Sequence, residues 1–256
     1  MARYPNGSFC WVDLGTTDVE GAKRFYSELL GWHTEDVDTP DGVYTIARVG
    51  GRDVAGMHAH EASDVHNWDS YIAVEDLDAA LARTGELGGE VSEAHDVPGT
   101  ARMAVIRDPG GARVCLWQAK GYPGAGLVNE TGTWTWSDLS THQPAAAEGL
   151  FTELFGWSFR EVAPGYWSIS MGDLLIGGMR TMSEQQAGMP SFWMPYFVVE
   201  DAEKSVGQVW ELVGRVNVQP TDVPNGRFAV VSDPQGASLG LIQMGPEGPA
   251  RGVDTL

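Results

Sequence analysis

The sequence predicts an α+β protein made by tandem duplication. Four βαβββ modules pair into two cup-shaped mixed sheets, with the helices outside. Three observations predict it. First, blocks of sequence return at a constant spacing of 125 residues. Trp11-Val12-Asp13-Leu14 returns as Trp136-Ser137-Asp138-Leu139, and Glu28-Leu29-Leu30-Gly31-Trp32 as Glu153-Leu154-Phe155-Gly156-Trp157. Second, each half alternates like a strand and then runs with a helical period, twice over. Third, an Asp-Pro-x-Gly turn precedes the last strand of each half, at Asp108 to Gly111 and at Asp233 to Gly236.

The elements follow in order. Residues 9–14 alternate as a half-buried strand does. Thr17 and Asp18 offer an N-cap, and Ala22, Phe25, Tyr26, Leu29 and Leu30 then form one apolar helix face that Gly31 stops. Short strands are expected near residues 34–37, 44–49 and 54–58, broken at Pro40-Asp41-Gly42 and Gly50-Gly51. A second unit has a strand at 70–74, a helix from Asp76, and strands at 91–97, 103–107 and 113–117. The second half repeats the plan, with helices at 143–155 and 201–212. This gives a first domain at 5–120, a Gly-rich linker at 121–132, a second domain at 133–245 and a loose tail at 246–256.

Composition narrows the function classes. With 16 Lys+Arg against 35 Asp+Glu the net charge is −19, a field that repels phosphate backbones and disfavours nucleic acid. No run of about 20 apolar residues exists to span a membrane. The first residues lack the apolar stretch of a signal peptide, and Cys10 and Cys115 are too few for a disulfide framework. A cytoplasmic protein, monomeric or homodimeric, with a small-molecule ligand or substrate is expected.

Three motifs recur in order in both halves: Phe25-Tyr26 with Leu30-Gly31-Trp32 at the first helix end, Val74-x-Asp76 before the second helix, and the Asp-Pro-x-Gly turn. With the modular pattern they resemble the vicinal oxygen chelate superfamily, which holds glyoxalase I, bleomycin-resistance proteins, fosfomycin-resistance enzymes and extradiol dioxygenases. The resemblance covers nearly the whole chain. It is greatest to two-domain actinobacterial members often called glyoxalase-like or hydroxylase. It implies paired modules that curl round a ligand cup.

Strand alternation then assigns the cup faces. Phe9, Trp11 and Asp13 are expected in the first cup, with Asp69, Tyr71, Ala73, Cys115 and Trp117. Trp134, Trp136, Asp138, Met194, Tyr196, Val198, Gly240 and Ile242 take the corresponding places in the second. The metal positions implied by the superfamily fall on Trp11, Asp69, Cys115 and the region of Gly56 to His58. In the second half they fall on Trp136, Met194, Gly240 and Gly177 to Met179. A catalytic divalent ion needs about three converging protein ligands, so no metal and no other cofactor is predicted.

Each candidate has a plainer reading. Trp11, Trp136, Tyr71 and Tyr196 are repeated, so they serve as scaffold or as an aromatic wall; the unrepeated Trp117 suggests lining. Asp13 and Asp138 are read first as structural partners of Arg102 and Arg227, and second as a base or ligand anchor. His58 and His60 share one strand face and break the repeat; they are solvated, or supply acid/base chemistry. Cys115 is a small core residue or a nucleophile without a base.

The ligand-binding set is therefore Trp11, Asp13, Asp69, Tyr71, Cys115, Trp117, Trp136, Asp138 and Tyr196, with Asp13, His58 and Cys115 as catalytic candidates. The first expectation is a binding protein that sequesters a small apolar or aromatic molecule in metal-free cups. The alternative is a metal-independent enzyme of secondary metabolism, of hydroxylase, isomerase or lyase type, acting on a polyketide- or quinone-like substrate in the first cup. A metal-dependent lyase or dioxygenase stands third.

Overall fold

The computed structural model describes residues 4–40, 42–60, 67–224 and 226–245. The expected tail at 246–256, Asp41 in the first hairpin turn and His66 lie outside these residues. The first half contains β1 (Phe9–Thr16), α1 (Val19–Leu30), β2 (His33–Thr39), β3 (Gly42–Val49), β4 (Arg52–Ala59) and β5 (Asn67–Ala73). It continues with α2 (Leu77–Glu86), β6 (Glu90–Val91), β7 (His95–Val97), β8 (Ala101–Arg107) and β9 (Arg113–Ala119). The second half contains β10 (Trp134–Thr141), α3 (Pro144–Phe155), β11 (Ser158–Ala163), β12 (Tyr166–Met171), β13 (Leu174–Thr181) and β14 (Phe192–Val199). It ends with α4 (Ala202–Glu211), β15 (Arg215–Val223), β16 (Gly226–Ser232) and β17 (Ser238–Met244).

The helix ends obey the local chemistry read from the sequence. Asp18, Asp76 and Asp201 are N-caps, each accepting a backbone N–H from three residues on. Gly31 and Gly156 close α1 and α3 in the left-handed conformation. The expected strand at 91–97 is split into β6 and β7. The Ser92 hydroxyl takes the Val105 N–H at 2.9 Å, and that interrupts the ladder.

Each half forms one mixed sheet. The first runs β2-β3-β4-β1-β5-β9-β8-β6, with β7 also on β8; the second runs β11-β12-β13-β10-β14-β17-β16-β15. Within each, two modules meet along an antiparallel central pair, β1 with β5 and β10 with β14. This register sets Asp13 opposite Asp69 and Asp138 opposite Met194.

The convex faces of the two sheets meet back to back, so the cups open away from each other. The Ser70 and Ser137 hydroxyls touch at 3.1 Å in the buried centre of this seam. The contacts on either side are reciprocal. Trp32 Nε1 donates to Gly132 O at 2.6 Å, and Trp157 Nε1 donates to Gly7 O at 2.8 Å. One apolar core, from Val12, Phe25 and Ile72 to Phe151, Phe197 and Leu239, runs across both sheets. Phe9 belongs to this seam and not to the first cup. A register shift between Phe9 and Trp11 turns its ring onto Trp134, Trp157 and Trp193, at centroid distances of 6.1, 5.5 and 5.2 Å. Trp134 is turned inward by the same shift in β10.

The connection at 121–132 has no helix or strand, yet it is held along its length. Ala125 N donates to Cys10 O, Gly126 N to Asp53 O, and Gly132 N to Val198 O. Ala125, Leu127 and Val128 are buried. Gly124 passes so close to the Cys10 carbonyl, at φ 125°, that no side chain fits there. Among the described residues no helix is long and apolar enough to cross a membrane.

The repeat is broken in the seam at the Tyr26 hydroxyl. Tyr26 OH donates to Asp233 Oδ2 at 3.0 Å and accepts from Trp68 Nε1 at 3.1 Å. Its counterpart is Phe151. Trp193 Nε1 and Asp108 Oδ2, the equivalents of the two groups that Tyr26 satisfies, are buried without partners. A buried unpaired polar group costs about 1–3 kcal/mol. Tyr26→Phe is therefore expected to lower stability by about 1–3 kcal/mol, and Phe151→Tyr to raise it by about 1 kcal/mol, measured by urea denaturation.

Candidate functional site

The first cup is built on β1, β3, β4, β5 and β9. Register places Asp13 beside Gly56, Gly15 beside His58, and Tyr71 beside both Trp11 and Cys115. Trp11, Asp13, His58, Asp69, Tyr71, Cys115 and Trp117 therefore converge on one concave face. His58 and His60 both lie against Gly15, sharing a strand face as the sequence suggests.

Asp13 is the hub. It is 2% exposed, and Tyr44 OH and Tyr71 OH donate to its Oδ2 at 3.1 and 2.9 Å. Trp11 Nε1 donates in turn to Tyr44 OH at 2.9 Å. Burial, then the Asp13 charge, holds both phenols well above the ordinary tyrosine range, so both stay neutral donors. Asp13 Oδ1 is buried with no partner. The His58 ring stacks over Tyr44, and its Nδ1 is 3.8 Å from Asp13 Oδ2, too far for a hydrogen bond. That nitrogen is also buried and unpartnered.

The expected Asp13–Arg102 pair does not form. Arg102 forks onto Asp78 at 2.8 and 3.1 Å on the outer surface. Arg227 likewise turns to Glu203 and Asp222, away from Asp138. The cup faces of β1 and β10 are central in their sheets, whereas β8 and β16 lie near the edges, so these arginines find acidic side chains close by. Asp69 has its own cation in Arg113, whose Nη2 is 2.8 Å from its Oδ2. Burial nonetheless pushes the Asp69 carboxyl up to about 6, against the pull of Arg113. Burial, then the Asp69 charge, drives the fully buried Cys115 thiol well above its ordinary range, leaving it protonated.

Aromatic side chains close the cup. Trp117 packs edge-on to Tyr71 at 5.7 Å, and its Nε1 donates to Tyr122 O. The Tyr122 ring meets Trp11 edge-on at 5.6 Å, while its hydroxyl donates to Asp53.

The second cup keeps the hub and changes its surroundings. Trp136 Nε1 and Tyr166 OH donate to Asp138 Oδ1 at 2.7 and 3.0 Å, and Tyr196 stands opposite Trp136 in register. Burial raises the Asp138 carboxyl against these donors. Met194, Tyr196 and Val230 form an apolar cluster separate from the main core, with Trp136, Phe192, Phe228 and Ile242 packed on it.

Tyr44 and Tyr166 are the principal site residues missed by reading at constant spacing. The β11–β12 hairpin is three residues shorter than β2–β3, which sets the two tyrosines 122 residues apart, outside the 125-residue register. Gly56 and Gly178 sit at that same offset. A Cβ at either would collide with the phenol beside it, so the glycines admit the tyrosines to the carboxylates. Arg113 was also passed over, because a cation on an alternating strand looks like a solvated one.

The residues at the superfamily's metal positions do not fit a divalent ion. Tryptophans occupy one position in each cup, Asp69 is held by Arg113, and the second cup offers Met194 and Gly240 in place of Asp69 and Cys115. Among the described residues no three His, Cys, Asp or Glu side chains gather closely enough to hold one.

The sheets, their central antiparallel seams and the two carboxylate-floored cups define a duplicated glyoxalase-type protein. The chain belongs to the Glyoxalase/Bleomycin resistance protein/Dioxygenase superfamily, whose profile matches residues 8–116. It is 39% identical to CFP32 of Mycobacterium tuberculosis, a glyoxylase by name, over 96% of this chain and 98% of that one. It is 32% identical to the anthracycline biosynthesis protein DnrV of Streptomyces peucetius, over 95% of this chain and 96% of that one. The fold is similar to the 2,3-dioxygenase LapB of Pseudomonas sp. KL28, with TM-score 0.68, 17% identity, and coverage of 98% of this chain and 97% of that one. It is also similar to a Mn(II)-bound glyoxalase of Novosphingobium aromaticivorans, with TM-score 0.67, 15% identity, and coverage of 94% and 83%.

Two outcomes follow. Gly56→Ala is expected to drive Tyr44 off Asp13 and lower stability by about 1–3 kcal/mol, read by thermal melting. Asp69 binds a proton more tightly folded than unfolded. Its contribution is present below pH 4 and is lost as pH rises to about 6. Replacing it with Asn should flatten the fall in the urea midpoint between pH 4 and 7.

Proposed function

We propose that the cups bind small, largely apolar or aromatic molecules without a metal, and that the first cup selects a ligand carrying a hydroxyl. One observation carries this: Asp13 Oδ1 and His58 Nδ1 are buried without partners at the floor of an aromatic cup. A buried acceptor of this kind awaits a donor. A planar ligand would stack on the aromatic walls and give its hydroxyl proton to Asp13 Oδ1, while Tyr44 and Tyr71 hold Oδ2. The name of DnrV supports a fused-ring, polyketide-like body.

A second reading makes the first cup an active site. His58 would take a proton from a ligand carbon or hydroxyl beside a carbonyl, and Asp13 would steady the resulting imidazolium. The asymmetry between the halves favours it, since His58, Asp69 and Cys115 have no polar equivalents except Arg180. Cys115, protonated and fully buried, serves packing in both readings.

The test is titration with 1,4-dihydroxyanthraquinone and with unsubstituted anthraquinone, followed by tryptophan fluorescence. The dihydroxy compound is expected to bind roughly tenfold more tightly, and Asp13→Asn to remove that margin. EDTA is expected to change neither affinity. Equal affinities in the native protein, or a loss of binding with EDTA, would overturn the reading.

A further inference from the structure

The side chain that takes the place of His58 in the second cup is Arg180. Tyr44 pairs in register with His58, and Tyr166 pairs with Arg180. Arg180 also pairs in register with Ser140, two residues along β10 from Asp138 and hence on the same strand face. No described carboxylate forms an ion pair with it. Its Nη2 reaches Gln186 Oε1 only at 3.5 Å, and its Nε is buried without a partner. By contrast Arg113, the arginine of the first cup, is held by Asp69 at 2.8 Å.

The rest of the second cup changes in the same direction. Asp69, Arg113 and Cys115 are replaced by Met194, Ser238 and Gly240. Counting Asp13, Asp69 and Arg113 against Asp138 and Arg180, the second cup is one unit less negative. A chain of net charge −19 thus keeps a half-buried guanidinium without a described ion-pair partner in a cup that also holds the apolar cluster of Met194, Tyr196 and Val230. Arginine offers two parallel N–H donors, a geometry that matches a carboxylate.

We propose that the second cup is specific for an anionic ligand, an aryl carboxylate whose oxygens sit on Arg180 and whose ring lies against Met194, Phe228 and Ile242. This rests on the reading that the cups bind ligands, and it gives the two cups different substrate classes.

The probes are 2-naphthoate and its neutral isostere 2-naphthamide, titrated calorimetrically into the full chain. Naphthoate is expected to bind roughly tenfold more tightly than naphthamide. Arg180→Gln should abolish that preference and leave naphthamide unchanged, whereas Arg180→Lys should restore part of it. In the native protein, added salt should weaken naphthoate alone. Equal binding of the two probes, or a naphthoate preference that survives Arg180→Gln, overturns the charge assignment while leaving cup binding intact. Binding of neither probe overturns both.

Discussion

A carboxylate cannot lie at the floor of an aromatic cup unless donors reach it, and much of the cup architecture follows from that need. Asp13 is met by two phenols and Asp138 by an indole and a phenol. The phenols reach their targets because glycine stands at positions 56 and 178 of the adjacent strands. The strands are adjacent because β4 and β13 return parallel to β1 and β10 at the centre of each sheet. Chemistry, side-chain size and topology are thus fixed by one group. The two floors differ in what stands beside them: Asp13 keeps a buried, unpartnered Oδ1 and has the unpartnered Nδ1 of His58 nearby, whereas Arg180 takes the place of that histidine in the second cup.

The seam between the sheets provides the rigidity behind these floors. Its tryptophans donate to backbone carbonyls of the opposite half, and its apolar core has no boundary at the junction of the repeats. Side chains on β1 and β5 that do not face a cup face this seam. Phe9 and Ser70 in the seam are thus separated from Trp11 and Asp69 in the cup by one or two residues of a single strand. The strap at 121–132 works at the opposite rim, where Tyr122 joins Trp11, Trp117 and Asp53.

Most of the fold was legible because period, caps and turns repeat together at one offset. Asp18, Gly31 and Asp76 act locally, so the sequence exposes them directly. The cup faces were legible wherever alternation held, as for Trp11, Asp13 and Tyr71. Alternation failed at Phe9, where a register shift reverses the facing without any mark in residue type. The partners of Asp13 were legible only in part. Tyr44 comes from a hairpin whose length differs between the halves, and Arg102 was drawn to Asp78 by a helix that the strand pattern says nothing about. Pairings between distant elements depend on three-dimensional proximity, which a one-dimensional spacing conveys only when no residues are gained or lost.

The reciprocal tryptophan bonds carry a further implication for how such a chain can be assembled. Trp32 to Gly132 and Trp157 to Gly7 are the same contact seen from either half, since each donor and each acceptor is shifted by 125 positions. An approximate two-fold axis therefore relates the halves, carrying Ser70 onto Pro195 and Val12 onto Ser137 across the seam. A chain of half the length, carrying one set of these residues, would make both tryptophan contacts by pairing with its own copy as a closed, isologous dimer. In that dimer both cups would be identical. Covalent fusion frees each copy to mutate alone, and the exchange of Tyr26 for Phe151 and of His58 for Arg180 records that freedom.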